Sequence, residues 1–138
     1  MDIRTIALPS RLWSLFAALP AALSHNQRVG RWGEEKAAAY LIERGYVIAD
    51  RNVRTPHGEI DLLASKDGLT IFVEVKARLS AGVGPPEISV SPRKQQHMIA
   101  SAEYYAQQNG IEHWRIDVIA IERVFGEDQI VHFENAIS

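Results

Sequence analysis

The chain has no cysteine, so neither a disulfide nor a thiolate-ligated metal can contribute to its fold. It also lacks a strong charge of one sign: 15 Lys and Arg against 17 Asp and Glu leave a formal net charge of −2. That balance argues against a uniformly basic coat for non-specific nucleic-acid binding. A localised basic groove stays open, because binding depends on the charges that actually meet phosphates. No apolar run is long enough to span a bilayer. The five histidines show neither metal-ligand spacing nor a neighbouring nucleophile, which argues against zinc chemistry. Internal repeats, phosphate-binding glycine loops and nucleotide fingerprints are missing as well. What remains is 138 residues, 46% of them hydrophobic, which suits one cytoplasmic domain with one core.

Two segments stand out, Gly58-Glu59-Ile60-Asp61 and Glu74-Val75-Lys76. They read as strands joined through Lys66-Asp67-Gly68-Leu69, since Asp-Gly is a preferred pair for a two-residue hairpin turn. With Asp67 and Gly68 at the tip, Asp61 falls opposite Glu74 and Glu59 opposite Lys76. On the other face Ile60 meets Val75, Leu62 meets Val73 and Ala64 meets Ile71. That face is wholly apolar, and a slip of one residue would exchange the faces.

Two carboxylates directly opposite one another, about 5 Å apart at Cβ, repel by roughly 3–4 kcal/mol at an effective dielectric near 20. An ordinary strand pair would carry a lysine at one of these positions. A divalent cation between them reverses the sign, and Mg²⁺ takes oxygen ligands, often one or two carboxylates plus waters and phosphate. Lys76 shares the face of Glu74 by strand alternation, where its charge could support a phosphoryl transition state or an attacking water.

Asp61, a gap, then Glu74-x-Lys76 resembles the active-site signature of the PD-(D/E)XK nuclease superfamily. The longer series is more specific: Gly33-Glu34, Gly45-Tyr46, Arg51-Asn52-Val53-Arg54, Gly58-Glu59-Ile60-Asp61-Leu62 and Phe72-Val73-Glu74-Val75-Lys76-Ala77-Arg78. In that order it resembles the YraN-like family of bacterial proteins, similar in fold to archaeal Holliday junction resolvases and other restriction-endonuclease-like proteins. The resemblance runs from about Asn26 to Ile121; one departure is Ile60, not proline, before Asp61.

The resemblance implies an α/β domain with a restriction-endonuclease-like αβββαβ core, a mixed β-sheet flanked by helices. It further implies Asp61 and Glu74 as ligands of Mg²⁺ or Mn²⁺, Lys76 as the catalytic lysine and Glu34 as an additional acid of the metal site. The substrate it implies is DNA, branched or otherwise structured. A module that keeps the fold and binds nucleic acid or protein without cleaving is the rival reading.

On the residues alone, Glu34 lies on the inward stripe of a helix expected from Asn26 to Arg44, with Ala37, Ala38 and Leu41. Either it favours the positive helix N-terminus or it serves a site. Glu35, one step round, faces solvent. Ser91-Pro92 opens a second helix running to Gly110, with Met98, Ile99, Ala102, Tyr105 and Ala106 as its buried stripe. Lys94 and Gln95 stand at its N-terminal end, a place that favours anions. With Arg54 and Arg78 they are the candidate nucleic-acid contacts; the alternative for each is a solvated surface residue. Trp114 to Glu122 reads as a strand covered on both faces and, by its crossover, parallel to the strand of Glu74. Asp117 is expected to pair with Arg115, and Ile130 to Phe133 to add an edge strand.

Residues 1–25 form an apolar extension ahead of the domain at 26–138. Leu12 to Leu19 superficially resembles a secretory signal, but Pro20 interrupts it and no clean cleavage site follows. A short helix from near Ser10 fits better, packing on its own domain, on a second copy to make a homodimer, or on a partner protein. The Gly- and Pro-rich stretch from Leu79 to Val90 reads as a loop close to substrate.

Overall fold

Ser24 starts the first helix among the described residues. Its hydroxyl accepts from Gln27 N at 3.2 Å, and Gln27 Oε1 accepts from Ser24 N at 2.8 Å, a reciprocal cap for α1, His25–Glu43. The computed structural model describes residues 23–80 and 90–138. The helix expected near Ser10, the docking role given to the N-terminal extension and the substrate loop before Val90 therefore lie largely outside the described residues.

After α1 come β1 (Val47–Thr55), β2 (Gly58–Lys66) and β3 (Leu69–Ser80). Then follow α2 (Pro92–Gln108), β4 (Trp114–Val124) and β5 (Glu127–Ile137). The strands make one sheet in the order β1-β2-β3-β4-β5. Only β3 and β4 are parallel, as the crossover through α2 requires; the other neighbours are antiparallel. This is the anticipated mixed sheet with a helix on each face.

The β2–β3 turn takes the expected form, with Asp67 and Gly68 both at positive φ, 51° and 80°. Register follows as read: Lys66 opposes Leu69, Ala64 opposes Ile71 and Leu62 opposes Val73. Alternation then sends β3 side chains to two cores. Ile71 and Val73 join Leu62, Ala64, Ile119 and Ile121 beneath Ala37, Ala38 and Leu41 of α1. Phe72 joins Leu63, Ile116 and Val118 beneath Met98, Ala102 and Ala106 of α2. Each fully buried Leu or Ile contributes about 1.5–3 kcal/mol relative to exposure.

Asp117 is fully buried on the α1 side of β4 and pairs with Arg115 as anticipated, at 2.9 and 3.2 Å. It also lies 2.7 Å from His132 Nε2 and accepts from Asn135 N at 2.9 Å. Burial alone would raise this carboxyl, but the bonds from His132, Asn135 and Arg115 outweigh it and hold the group below the usual carboxylate range. An ionised carboxylate only accepts, so the His132 ring nitrogen donates. The bond to Asn135 sits where β5 leaves the β4 register, between the Ile116–Ile137 and Val118–Phe133 pairs. The edge strand consequently runs over Glu127–Ile137, longer than the four residues expected, because Asp117 pins an irregularity that periodicity does not reveal.

α1 approaches β3 closely at Gly33. A Cβ there would lie 2.3 Å from the Ala77 Cβ, so only glycine lets the helix approach at this point. The next residue is Glu34, and the glycine therefore sets how near that acid comes to β3. Gly33→Ala should lift α1 from the sheet and destabilise the fold by about 1–3 kcal/mol despite alanine's better helix propensity. Urea denaturation of the two proteins measures this; a variant as stable as wild type would show that the contact relaxes freely.

Candidate active site

The β2–β3 ladder stops at Leu62–Val73 and does not extend to the expected Asp61–Glu74, Ile60–Val75 and Glu59–Lys76 pairs. Instead Asp61 Oδ2 accepts the Val75 backbone N–H at 2.9 Å. A side-chain oxygen thus satisfies an amide that a further rung would have used. Alternation also breaks there: Leu62 packs on the α1 side, yet Ile60, two residues earlier, packs on the α2 side. Across the sheet β1 does the same around Asn52, whose φ is 50°. Arg51 reaches Glu35 of α1, whereas Val53 joins the α2 core. The continuous apolar face expected for the hairpin therefore loses Ile60, because β1 and β2, but not β3, change sides at this point.

The break leaves Asp61 between the two helical layers. From the α1 side Glu34, half-buried, feels its charge; from the α2 side Glu74, 7% exposed, feels it too. Lys76, half-buried on β3, lies within electrostatic reach of Glu74. The four residues singled out for chemistry are thus brought together, though through a gap between strands and not across a ladder.

Their electrostatics are those of crowded acids. Burial pushes the Glu74 carboxyl up from 4.5 to about 7, helped by the charge of Asp61 and a hydrogen bond shared with it, and opposed by Lys94 and Lys76. Glu34 is raised as well, first by burial and then by Asp61, while a hydrogen bond from Asn52 works against the shift. The apolar wall behind Glu74 includes Ile60, Phe72, Met98 and Ile116.

The candidate nucleic-acid contacts are placed differently from one another. Lys94, in the first turn of α2, has its Nζ 3.6 Å from Glu74 Oε1 and so stands at the acidic cluster itself. Gln95 turns its amide to the Val90 carbonyl at 2.8 Å, anchoring the residue that leads into α2. Arg78 donates to the fully buried Glu122 at 3.1 Å. Arg54 extends into solvent, 91% exposed and 4.0 Å from Glu59. Glu35 is exposed, as expected, and pairs with Arg51.

One residue at the site was not singled out from the sequence. With its amide nitrogen facing the two acids, the orientation that gives both ends of the amide complementary partners, Asn52 donates to Glu59 at 3.0 Å and to Glu34 at 3.1 Å. An asparagine inside a strand is the available signal, since Asn is depleted in strands and tolerates positive φ.

Does this set suit a divalent cation? Among the described residues no three His, Asp or Glu side chains converge into a ready-made cage. Two carboxylates at one point, with only oxygen donors, nevertheless match the habit of Mg²⁺ and Mn²⁺, which complete their shell with water and phosphate. A carboxyl raised to about 7 by burial, and then by a neighbouring acid, is also what such an ion would relieve. The paired carboxylates of Asp61 and Glu74 are thus the kind of donor set that a hard cation takes.

The Glu74 proton makes stability depend on pH. Folded, the group keeps its proton up to about pH 7; unfolded, it loses it near 4.5. The folded state binds more protons in that window, so stability falls as pH rises through it. Glu74→Gln should abolish this slope and exceed wild type above pH 7 by on the order of 2–3 kcal/mol. Urea melts from pH 4.5 to 8 decide: a glutamine variant weaker than wild type at pH 8 would show that ionised Glu74 is not a burden.

The description "Uncharacterised protein family UPF0102" matches residues 33–121, spanning the site from α1 through β4. A UPF0102 protein of Syntrophotalea carbinolica is 41% identical over 110 residues, 78% of this chain and 89% of its own. One from Dehalococcoides mccartyi is 37% identical over 118 residues, 83% and 98% of the two chains. One from Anaeromyxobacter dehalogenans is 43% identical over 113 residues, 80% and 84%. With its Gly33-to-Ile121 core and its mixed sheet accounted for, the chain belongs to the UPF0102 family, the YraN-like group of the restriction-endonuclease-like fold.

Proposed function

We propose that this protein is a metal-dependent endonuclease that hydrolyses phosphodiester bonds in DNA, with branched or otherwise structured DNA as its substrate. The observation that carries the reading is the meeting of Asp61 and Glu74 beside Lys76, where β2 and β3 separate. Two acids so placed are costly for a purely structural role. Asp117 and Glu122, the other buried acids among the described residues, each hold a close arginine, at 2.9 and 3.1 Å, whereas the positive neighbours of Glu74 are lysines, the nearer, Lys94, at 3.6 Å.

In this reading Asp61 and Glu74 hold Mg²⁺ or Mn²⁺. Such an ion supplies Lewis acidity towards a phosphoryl oxygen and lowers the pKa of water. Val75 N–H fixes one oxygen of Asp61, which orients the other. Glu74 gives up its proton to act as a ligand, so affinity for the ion rises with pH through about 7. Lys76 offsets negative charge gathering at phosphorus. Lys94, near Glu74 in the free protein, can turn to a phosphate once that acid is otherwise satisfied. Glu34 orients the attacking water or assists the ion.

A groove of about 410 Å³ continues from Lys76 between the start of α1 and the end of β3, lined by His25, Asn26, Val29, Arg78 and Leu79 among others. It offers a strand of nucleic acid a route away from the acids. Its lining, in which Lys76 stands beside apolar side chains, supports binding through phosphates and bases without a basic surface overall.

Wild type, Asp61→Ala and Lys76→Ala should be compared on branched, single-stranded and duplex DNA with Mn²⁺. Cleavage by wild type, reduced at least about 100-fold in either variant, is expected. Binding by all three with cleavage by none would overturn the enzyme and leave the non-cleaving nucleic-acid-binding module. Independently, Mn²⁺ at about 100 times its dissociation constant should stabilise wild type by about 2.7 kcal/mol and Asp61→Ala far less. Thermal melting with and without the ion checks this.

A further inference from the structure

Asn52 is where three elements meet. It belongs to β1, but its amide reaches Glu34 on α1 at 3.1 Å and Glu59 on β2 at 3.0 Å. Both partners are acids, and each adds to the other's difficulty, since the charge of Glu59 is among the causes that raise Glu34. An amide NH₂ group is the one uncharged side-chain group with two donors on a single atom, so it can bind two carboxylates at once. A lysine or arginine in its place would neutralise the acids and compete with a cation for them. Asparagine holds them and leaves their charge available.

The backbone is suited to the same task. Asn52 has φ of 50°, at the point where β1 and β2 change sides. Asparagine is among the few residues besides glycine that enter this region readily. Its conformation directs the side chain to the acids instead of along the sheet's ordinary alternation. Arg51 and Val53, on either side, face opposite helices, so the left-handed residue lies at the pivot.

We infer that Asn52 is a positioning residue of the active site, which clamps Glu34 and Glu59 together and holds the Glu34 carboxylate at the rim of the Asp61–Glu74 pair. The inference rests on the metal-dependent reading for its effect on the ion, although the clamp itself exists without one. Glu34 would otherwise be free to swing from its neighbours, because like charges at Asp61 and Glu59 repel it. Loss of such an outlying partner of a metal ligand costs about 10- to 100-fold in affinity or activity.

Asn52→Gly separates the two roles, since glycine keeps the left-handed backbone and removes only the amide. This variant should melt within a few degrees of wild type yet bind Mn²⁺ about ten-fold more weakly, as measured by titration with electron paramagnetic resonance detection. Asn52→Ala, which also strains the backbone, should lose both stability and affinity. Unchanged Mn²⁺ affinity in Asn52→Gly would overturn the inference and reduce Asn52 to a backbone role. Should wild type bind no Mn²⁺, the metal reading fails, but the clamp still faces its own test without metal. There the side-chain NH₂ resonances of Asn52 should shift in Glu34→Ala and again in Glu59→Ala; resonances indifferent to both would overturn it.

Discussion

The site depends on one hydrogen bond, from the Val75 N–H to the Asp61 carboxylate. A β-ladder that continued past Leu62 and Val73 would have set Asp61 and Glu74 directly opposite one another, an arrangement that a sheet resists. Accepting the amide with a side chain resolves the conflict locally. No rung is wasted, because the donor is satisfied, and β2 is released to turn away. The opening between the strands then admits acids from both layers, Glu34 from the first helix and Glu74 from the side of the second. Repulsion that would have weakened a sheet becomes concentrated in a place where a cation can relieve it.

The contrast among the buried acids supports a division of labour. Asp117 receives Arg115, His132 and the Asn135 amide, and it fastens β5 to β4. Glu122 has the guanidinium of Arg78. Both are acids with arginine counter-ions, as buried charge in a structural role requires. Glu74 is buried nearly as deeply but faces another carboxylate, with lysines as its positive neighbours. Lysine is a mobile point charge that can withdraw, whereas arginine makes a directed fork. Around Asp61 the protein thus offers charge compensation of a kind that can be exchanged.

Much of this was legible in the residues. Asp67-Gly68 determined the hairpin tip, and alternation on either side of it set the register from Leu62–Val73 to Lys66–Leu69. Ser91 and Pro92 marked the start of the second helix through local hydrogen bonds and backbone preferences that do not need the rest of the fold, whereas the cap at Ser24, ahead of the expected start at Asn26, came from the structure. Strand alternation failed at Asn52 and Asp61 because it assumes an unbroken ladder, and here a side chain ends one. The clamp by Asn52 was hidden for another reason: its partners lie on two other elements, 18 positions before it and seven after.

By itself, then, the order of residues determined which strands and helices carry Asp61, Glu74, Lys76 and Glu34, since capping, turn chemistry and periodicity act over a few residues; the choice of Glu34 as a candidate came from the family resemblance. Only the tertiary structure decided how these groups face one another. It withdrew Arg78 to Glu122, brought Lys94 to Glu74 and turned Asn52 onto two acids. Such pairings are settled by the approach of whole elements, through contacts like that of Gly33 with Ala77, and no local pattern encodes how close two packed layers will come.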